Sequence, residues 1–369
     1  MSDSSSELRQ IFLDGVPLMD VRAPVEFAKG AFPGTVNLPL MNDAERQQVG
    51  TCYKQRGQEA AIALGHRLVS GATKSARIES WAGFARAHPQ GMLYCARGGL
   101  RSQITQQWLA SEGGIAYPRV PGGYKALRTC LLNVTDQVAR EDGFLVLSGL
   151  TGSGKTEVLR LLDSGIDLEG HARHRGSSFG AYLDAQPSPI SFENALAIDF
   201  LKKQSAGHRR WVLEDEGRSI GACPIPLPLR QRMEAAPLVW LEEAFEQRVE
   251  RILQEYVIDM RGACERAEGQ EAGFAAFAER LRRSMTKIQT RLGGARHQQL
   301  MGLLDAAFQA PAEAAALDLH REWIAALLRD YYDPMYRFQK KSRAGRIVFT
   351  GNRAAVLDFL RAGERTRHT

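Results

Sequence analysis

A glycine-rich segment that ends in a lysine and a threonine is the first candidate for chemistry. Residues 149–156 read Gly-Leu-Thr-Gly-Ser-Gly-Lys-Thr and match the pattern G-x-x-x-x-G-K-[ST] at every fixed position. Glycines let backbone N–H groups turn towards a phosphate, and Lys155 adds a full positive charge. A chance match in an ordinary turn is the alternative. The residues that we predict to bind a phosphate or diphosphate are Gly149, Gly152, Ser153, Gly154, Lys155 and Thr156.

The residues around this segment place it between a strand and a helix. Residues 143–148 form an apolar run typical of a buried strand, and residues 157–162 have the pattern of a short helix. Thr156 could then bind a Mg²⁺ ion that bridges phosphate oxygens. A second strand at 211–213 is followed by Asp215, which is a Walker B candidate. The motif predicts phosphate binding and leaves open whether a nucleotide is hydrolysed or a pyrophosphate group is only held.

A cysteine followed by glycines and arginines is the second candidate. Residues 94–102 read Tyr-Cys-Ala-Arg-Gly-Gly-Leu-Arg-Ser, so Cys95 ends an apolar strand and Arg101 precedes a helix. Loop amides and Arg101 would surround an anion, and a helix N-terminus and a guanidinium both lower a thiol pKa below about 8.5. We therefore predict that Cys95 and Arg101 are catalytic, with a thiolate suited to carrying a chalcogen or attacking a phosphoryl group. The alternative is a buried structural cysteine, the role that we expect of the other four cysteines.

Basic residues are segregated along the chain. The formal net charge is +6, and no acidic residue interrupts the basic stretches at 280–304 and 334–356. In the first stretch four basic residues are spaced by three and four positions, so they would share one helical face. They are Arg280, Arg283, Lys287 and Arg291. Such a face predicts contacts with the phosphates of a nucleic acid, and a solvated surface is the alternative.

The segment after the helix of the phosphate motif is also basic. We predict that Arg173 and Arg175 contact phosphate or nucleic acid and that His171 could donate a proton, against the alternative of a solvated loop. Two histidines without a nearby cysteine or carboxylate partner do not make a metal site, so we predict none here. Three tyrosines further on could stack on an RNA base or pack in a core: Tyr331, Tyr332 and Tyr336.

The elements that must position these residues form two alternating β/α units in series. A chain of 369 residues suggests two or three domains. In the first unit we predict strands at 17–21, 91–95 and 115–120 and a helix at 102–111. In the second unit the chain should be mostly helical from 242 to about 332. The predicted domains are 8–133 and 143–369, joined by a linker at 134–142.

Composition narrows the class of protein. The sequence is 44% hydrophobic and 24% charged, as expected of a folded globular chain. It has no apolar run of about 18 residues and no N-terminal pattern of a secretory signal, so we expect neither a membrane span nor a leader. Five widely spaced cysteines argue against a disulfide framework and predict a cytoplasmic protein.

Several motifs of the first unit resemble the rhodanese family. They are Asp20-Val-Arg22, Glu26-Phe27, residues 30–39, and the run from Cys95 to Arg101, which resembles the active-site loop of that family. The resemblance implies a rhodanese-like α/β domain and a cysteine that carries sulfur as a persulfide. We expect Arg22 and Glu26 to pair with each other across one turn.

Over nearly its whole length the chain resembles the tRNA 2-selenouridine synthases. The resemblance is carried by residues 95–102, 149–156, 167–180 and 331–336. It implies a rhodanese-like domain, then a P-loop NTPase-like α/β domain with a mostly helical C-terminal region. It also implies that selenium replaces sulfur at C2 of 2-thiouridine at the tRNA wobble position, through S-geranylation from geranyl diphosphate and then selenation from selenophosphate. No tightly bound cofactor is implied, and an enzyme that supplies selenophosphate is a candidate partner.

The residues fit this chemistry. The phosphate motif could bind the diphosphate of the allylic donor, with Lys155 stabilising the charge on the departing group. Cys95, Arg101 and the loop amides could bind selenophosphate, and whether selenium becomes covalently attached stays open. The basic helical face and the Arg173 segment would then contact tRNA. The sequence does not locate an apolar site for the geranyl chain.

Two other functions are compatible with the motifs. One is a small-molecule sulfurtransferase fused to a kinase or NTPase module, which would turn over without RNA. The other is a tRNA-binding or regulatory protein in which the cysteine loop senses redox state. The acid-free basic helix favours the tRNA-modifying transferase.

Overall fold

The order of the elements follows the alternation of strands and helices that the sequence predicts. The structure is a computed structural model that describes residues 3–365. Up to residue 138 its elements are α1 (Asp3–Leu13), β1 (Leu18–Asp20), α2 (Pro24–Lys29), β2 (Val36–Asn37), α3 (Asp43–Leu68), α4 (Gly71–Ala87), β3 (Met92–Tyr94), α5 (Leu100–Ser111) and α6 (Gly123–Val138). Up to residue 205 they are β4 (Phe144–Gly149), α7 (Lys155–Leu159), β5 (Gly165–Ile166), α8 (Leu168–Ala172) and α9 (Pro189–Ser205).

The rest of the chain is mainly helical. Its elements are β6 (Trp211–Glu214), β7 (Ser219–Ile220), β8 (Cys223–Pro224), α10 (Leu227–Ala235), β9 (Leu238–Leu241), α11 (Phe245–Leu253), α12 (Asp259–Glu268), α13 (Gln270–Lys287), α14 (Gln289–Leu292), α15 (Gly294–Gln309), α16 (Glu313–Leu327), α17 (Asp333–Ser342), β10 (Ile347–Gly351) and α18 (Arg353–Arg365). One-turn π-helices at Gln254–Ile258 and Leu328–Tyr332 join α11 to α12 and α16 to α17. The helical prediction for 242–332 is confirmed.

The chain divides into two compact units. The first consists of Met1–Val138 and Ser188–Ala206, the second of Ala139–Pro187 and Gly207–Thr369. The predicted division into 8–133 and 143–369 therefore misplaces α9, which belongs to the first unit. The reason is its apolar face: Phe192, Leu196 and Phe200 are fully buried, and α9 packs on α1 and α6.

The predicted linker at 134–142 is wrong for its first half. Helix α6 continues to Val138, because Val134 and Val138 extend its apolar stripe and both are fully buried. The polar residues between them predict a loop, but burial of the apolar positions decides the conformation.

A three-stranded parallel sheet with the order β2-β1-β3 supports the first unit. Met19 faces Leu93 in the register of β1 and β3, and both side chains are fully buried. Trp81 of α4 and Leu109 of α5 pack in the same core. The predicted strand at 115–120 is reduced to a single parallel bridge, and its chain is otherwise irregular.

A five-stranded parallel sheet with the order β10-β9-β4-β6-β5 supports the second unit. Strands β4, β6 and β9 are buried along their whole length, as parallel strands covered on both faces are. The phosphate motif therefore follows the central strand of this sheet. Strand β10, at the edge, was not predicted; its burial alternates along the strand.

A separate helical core lies beyond β9 in the sequence. Side chains of α11, α13, α15 and α16 form it, with Phe277, Met285 and Trp323 among the most buried. In the part of the chain that the structure describes, no helix is both long enough and apolar enough to cross a membrane.

Candidate functional site

The cysteine loop (residues 95–101) connects the end of β3 to the first turn of α5 and holds Cys95 in a closely packed setting. The Cys95 side chain is buried, with Sγ 3.2 Å from Oγ of Ser102 and 3.8 Å from the carbonyl oxygen of Gly99. The Ser102 hydroxyl in turn donates to that Gly99 carbonyl at 2.9 Å. If the thiol loses its proton, the same hydroxyl can turn and donate to the sulfur.

The start of α6 holds the cysteine loop in place. The backbone amide of Tyr124 donates to the carbonyl of Cys95, and that of Lys125 donates to the carbonyl of Ala96, both at 2.9 Å. Gly123 must be a glycine here, because a Cβ atom would lie 2.3 Å from the Cys95 carbonyl oxygen at a φ of 59°. Gly123, the first residue of α6, is thus needed for this close approach.

The surroundings of Cys95 favour its thiolate. Burial by itself would raise the pKa of the thiol, but hydrogen bonds from the Ser102 hydroxyl and from the amides of Arg97 and Ser102 lower it, with help from the charge of Arg101. The balance leaves the pKa of Cys95 below its ordinary value. By contrast, burial raises the pKa of Cys130, Cys223 and Cys264. A lowered thiol pKa in a loop of amides is the setting of a nucleophilic or anion-binding cysteine.

Arg101 does not point into the centre of the cysteine loop. Its guanidinium instead pairs with Glu26 of α2, through Nη1 and Nη2 at 2.5 and 3.1 Å. The expected pairing of Arg22 with Glu26 is therefore wrong: Arg22 binds Asp20, with Nε 2.8 Å from Oδ2, and both side chains are buried. Arg101 and Glu26 are 75 residues apart, so local spacing does not reveal their pairing.

The phosphate loop (residues 149–156) runs from the end of β4 into α7. Gly152 and Gly154 have φ angles of 78° and 82°, which directs successive backbone amides to one side of the loop. Ser153 is buried, and its hydroxyl has no hydrogen-bond partner within the described residues. A buried hydroxyl without a protein partner is available to a bound ligand. The loop is therefore built to receive an anion.

Two arginines of α11, which the sequence did not reveal, brace the phosphate loop. Arg248 is buried; its Nε donates to the carbonyl of Thr151 at 2.8 Å, and its terminal nitrogens pair with Asp333. Arg251 donates from Nη1 to the carbonyl of Gly152 at 2.6 Å. The Arg–x–x–Arg spacing on one helix face was the only signal available. These contacts hold the carbonyl groups of Thr151 and Gly152 towards α11, so that the backbone amides of the loop can bind a ligand.

A pair of carboxyl groups lies next to the phosphate loop. The Thr156 hydroxyl donates to Glu169 of α8 at 3.2 Å, and Glu169 shares a hydrogen bond with Glu216. Burial, and then the neighbouring Glu169, raises the pKa of Glu216 to about 8. Burial also raises the pKa of Glu169, although Lys155 opposes this. One proton is thus held between the two groups beside Lys155. Hydroxyl and carboxylate oxygens are also the kind of ligand that Mg²⁺ binds in proteins.

Asp215, the Walker B candidate, directly follows β6. Its carboxylate accepts hydrogen bonds from Ser148 and from both terminal nitrogens of Arg343, the latter at 2.8 Å each. Asp215 therefore lies beside the strand that carries the phosphate loop, with Arg343 on its oxygens. A Walker B role for it stays a prediction.

The predicted basic contacts of the 171–175 segment have different settings. Arg173 is exposed and has a φ of 49° at the end of α8. Arg175 is half-buried, lies over the ring of Tyr182 at 4.5 Å, and pairs with Glu255 at 3.6 Å. Arg173 is thus presented to solvent, whereas Arg175 has structural partners.

The predicted continuous basic face is interrupted. Arg280 is half-buried and donates to the carbonyls of Ala181 and Tyr182, both at 2.7 Å. Helix α13 ends at Lys287, and Arg291 lies on α14 beyond a break at Ile288. Ile288 is itself buried, so an apolar anchor ends the helix there. Arg283 and Lys287 are exposed on α13 and remain candidates for phosphate contact.

The three tyrosines lie in or against the helical core. Tyr332 is buried, while Tyr331 and Tyr336 are partly buried and pack on the same cluster. The Tyr336 side chain hydrogen-bonds Thr151 of the phosphate loop. Tyr332 therefore packs in the core, which is one of the two alternatives that the sequence left open. Tyr336 supports the phosphate loop through its hydrogen bond to Thr151.

Fold and site together define the class of the second unit. A glycine-rich loop between the central strand of a parallel sheet and a helix makes it a P-loop α/β domain. A family model described as the tRNA 2-selenouridine synthase AAA domain matches residues 142–367. With the relatives described below, this shows that the chain belongs to the tRNA 2-selenouridine synthase family.

Relatives match along nearly the whole chain. A tRNA 2-selenouridine synthase of Verminephrobacter eiseniae (strain EF01-2) is 61% identical over 363 residues, which is 98% of this chain and 100% of the relative. One of Pseudomonas putida (strain KT2440) is 59% identical over 98% of each chain. A solved N-terminal domain from Clostridium difficile 630, described as an ATP/GTP binding protein, shares 32% identity over 32% of this chain and 89% of its own. Its TM-score is 0.28.

Proposed function

We propose that this protein replaces sulfur by selenium at C2 of 2-thiouridine at the wobble position of tRNA. Family membership over nearly the whole chain carries the proposal. Two anion-binding loops with suitable chemistry support it: a thiol of lowered pKa at Cys95, and a lysine-tipped loop at Lys155. The basic residues Arg173, Arg283 and Lys287, exposed at the surface, would contact the tRNA backbone.

The first proposed step is S-geranylation. The 2-thio sulfur attacks C1 of geranyl diphosphate, the C1–O bond breaks, diphosphate leaves, and the N3 proton is released. The amides of the phosphate loop and Lys155 would bind the diphosphate and stabilise the charge that grows as it departs. Thr156 and Glu169 would hold Mg²⁺, which would neutralise part of that charge. The step turns a poor leaving group, the 2-thio sulfur, into a thioether.

The second proposed step is selenation beside Cys95. Selenium of selenophosphate attacks C2, the C2–S bond breaks, and geranyl thiol leaves; water then cleaves the Se–P bond to release phosphate. Nothing is oxidised or reduced in this balance. The amides of the cysteine loop would bind the selenophosphate. The lowered pKa of the Cys95 thiol makes it a stronger acid than an ordinary alkyl thiol, so its protonated form would supply the proton that the departing geranyl thiolate needs.

The proposal assigns a role to each unit. The first unit, with its parallel sheet and a cysteine at the end of β3, is proposed to be rhodanese-like, and Arg101 acts on the thiol through its charge. The second unit is proposed to carry the geranyl transferase activity. A cytoplasmic location and an enzyme that supplies selenophosphate complete the proposal.

Nucleoside analysis of tRNA tests both steps. Wobble 2-thiouridine tRNA is incubated with geranyl diphosphate and selenophosphate, and the digested nucleosides are identified by mass spectrometry. The intact protein should give 2-selenouridine. Lys155→Ala should lower geranylation by roughly 10²–10³-fold, the usual effect of removing one group that stabilises a transition state.

Cys95→Ser separates the two loops. It should leave geranylation intact, so that S-geranyl-2-thiouridine accumulates without selenation. If the intact protein forms neither modified nucleoside, the proposal is wrong. If thiosulfate and a nucleotide turn over without RNA, the fused sulfurtransferase replaces it.

A further inference from the structure

A groove of about 1010 Å³ lies beside the cysteine loop in the first unit. Helix α3 forms much of its lining, both before and after a break at Gly57, where φ is 83°. Arg97, Leu100 and Arg101 form another part of the lining. The groove therefore begins at the loop that contains the candidate thiol.

The floor of the groove is apolar. Met41, Ala61 and Trp108 contribute buried side chains, and half-buried Ile62 and Ile104 face it as well. At its edge Tyr53 and Leu100 are 58% and 41% exposed. A folded protein that leaves a concave apolar surface of this size open to water usually uses it to bind an apolar group.

The charge of the groove is of one sign. Arg46, Lys54, His66, Arg97 and Arg101 line it, and none of the lining residues, all of them within the described part of the chain, is acidic. Arg46 and Arg101 share a single carboxylate, Glu26, so one negative charge faces two guanidinium groups. Lys54 and Arg97 are exposed. An apolar floor with a basic rim fits a ligand that joins an apolar chain to an anion.

Resting on the proposed function, we propose that this groove binds the S-geranylated nucleoside of the RNA intermediate. The floor takes the ten-carbon chain, and Lys54 and Arg97 take phosphates on either side of the nucleoside. This intermediate is uncharged at the thioether and attached to a polyanion, so it matches both properties of the groove. The groove also places C2 of the base at the cysteine loop, where selenation would occur.

Binding of two synthetic RNAs tests the groove. Fluorescently labelled anticodon stem-loops carry either S-geranyl- or S-methyl-2-thiouridine at the wobble position, and their affinities are measured by anisotropy. The intact protein should bind the S-geranyl RNA at least roughly tenfold more tightly, because a filled hydrophobic site discriminates by this factor or more. Ile62→Trp and Ile104→Trp, which fill the groove, should abolish that preference, so that the two RNAs bind with similar affinity.

Three further variants complete the test. Leu132→Trp adds the same ring at an exposed position of α6 and should keep the preference. Lys54→Gln should lower the affinity for both RNAs equally. Ile62→Ala, which widens the groove, should extend tight binding to an S-farnesyl RNA, so the assignment does not depend on a bulky substitution that could unfold the protein.

The outcomes separate this inference from the proposed function. If Ile62→Trp and Ile104→Trp keep the full preference for S-geranyl RNA, the groove assignment is wrong. If the intact protein also converts S-geranyl RNA to 2-selenouridine, the proposed function survives that result. If the intact protein neither prefers nor converts S-geranyl RNA, the proposed function itself fails.

Discussion

The Sγ atom of Cys95 lies 3.2 Å from the Oγ atom of Ser102, in the first turn of the helix that follows the cysteine loop. This contact opposes burial, which would otherwise keep the thiol protonated. It makes the serine a positioning and tuning residue for the thiol.

Ser102→Ala should therefore raise the pKa of Cys95. Without the hydroxyl, burial is opposed only by backbone amides and the charge of Arg101. At neutral pH the alkylation rate of Cys95 by iodoacetamide, followed on its own peptide by mass spectrometry, should fall roughly tenfold, as expected for the loss of one hydrogen bond to a charged group. Ser111→Ala, on the exposed end of the same helix, should leave that rate unchanged. An equal rate in the Ser102 variant would show that the amides alone tune the thiol.

The carboxyl pair beside the phosphate loop predicts a pH dependence of stability. With a pKa of about 8, against an ordinary value of 4.5, Glu216 keeps a proton in the folded state that the unfolded chain releases. The folded state binds more protons in this window, so the free energy of unfolding falls as pH rises from 4.5 towards 8. Glu216→Gln should flatten this decline, measured as the change in Tm across the window.

The neighbouring groups set the control for that measurement. Glu169 and Glu214, whose pKa values burial also raises, and Lys155 remain in the variant, so part of the slope should persist. Glu246→Gln removes an exposed carboxylate of α11 and should reproduce the wild-type slope. A Glu216→Gln protein with that same slope would contradict the shared proton.

The buried ion pair of Arg248 and Asp333 should be essential for stability. Asp333→Ala leaves a guanidinium buried without its partner, which should lower the free energy of unfolding by about 3–5 kcal/mol. Denaturant unfolding measures this. The double variant with Arg248→Met and Asp333→Leu should lose less than Asp333→Ala, because no unpaired charge remains.

An exposed pair provides the matched comparison for that loss. Glu250 pairs with Arg321 on the surface of the same unit. Glu250→Ala should therefore change the free energy of unfolding by less than about 1 kcal/mol. A similar loss in the free energy of unfolding for Asp333→Ala and Glu250→Ala would show that burial does not make the Arg248–Asp333 pair more important.

Arg283 and Lys287 should contribute to RNA affinity through phosphates alone. The double variant Arg283→Gln with Lys287→Gln should bind tRNA more weakly and reduce the slope of log K against log salt by roughly 1.5, the share of two phosphate contacts. Titrations at several salt concentrations measure this slope. Lys202→Gln, which changes an exposed lysine of α9, should leave the slope unchanged. An unchanged slope in the double variant would show that Arg283 and Lys287 do not contact the RNA.

Residues 149–156 and 95–102 were identifiable from the sequence because their chemistry is contiguous. A run of glycines with a lysine, or a cysteine before a helix, specifies its backbone geometry largely through its own residues, and the flanking strands β3 and β4 were predicted on the same basis. In the second sheet, β4 and β6 followed from their apolar runs, whereas the two edge strands were not predicted. Strand β5 has only two residues, and the burial of β10 alternates along the strand, so both give a weaker signal.

The partners of these residues depended on packing. Glu26 meets Arg101, Asp333 meets Arg248, and Glu216 meets Glu169 across separations of 47 to 85 residues. No local pattern encodes such pairs, because each one depends on which distant segments of the chain pack against each other. The same applies to α9, which joins the first unit through its buried aromatic face, and to the groove, whose apolar floor comes from elements that are separate in the chain. Short-range geometry is a property of residue types in order, whereas long-range contacts exist only once distant apolar faces have been buried together.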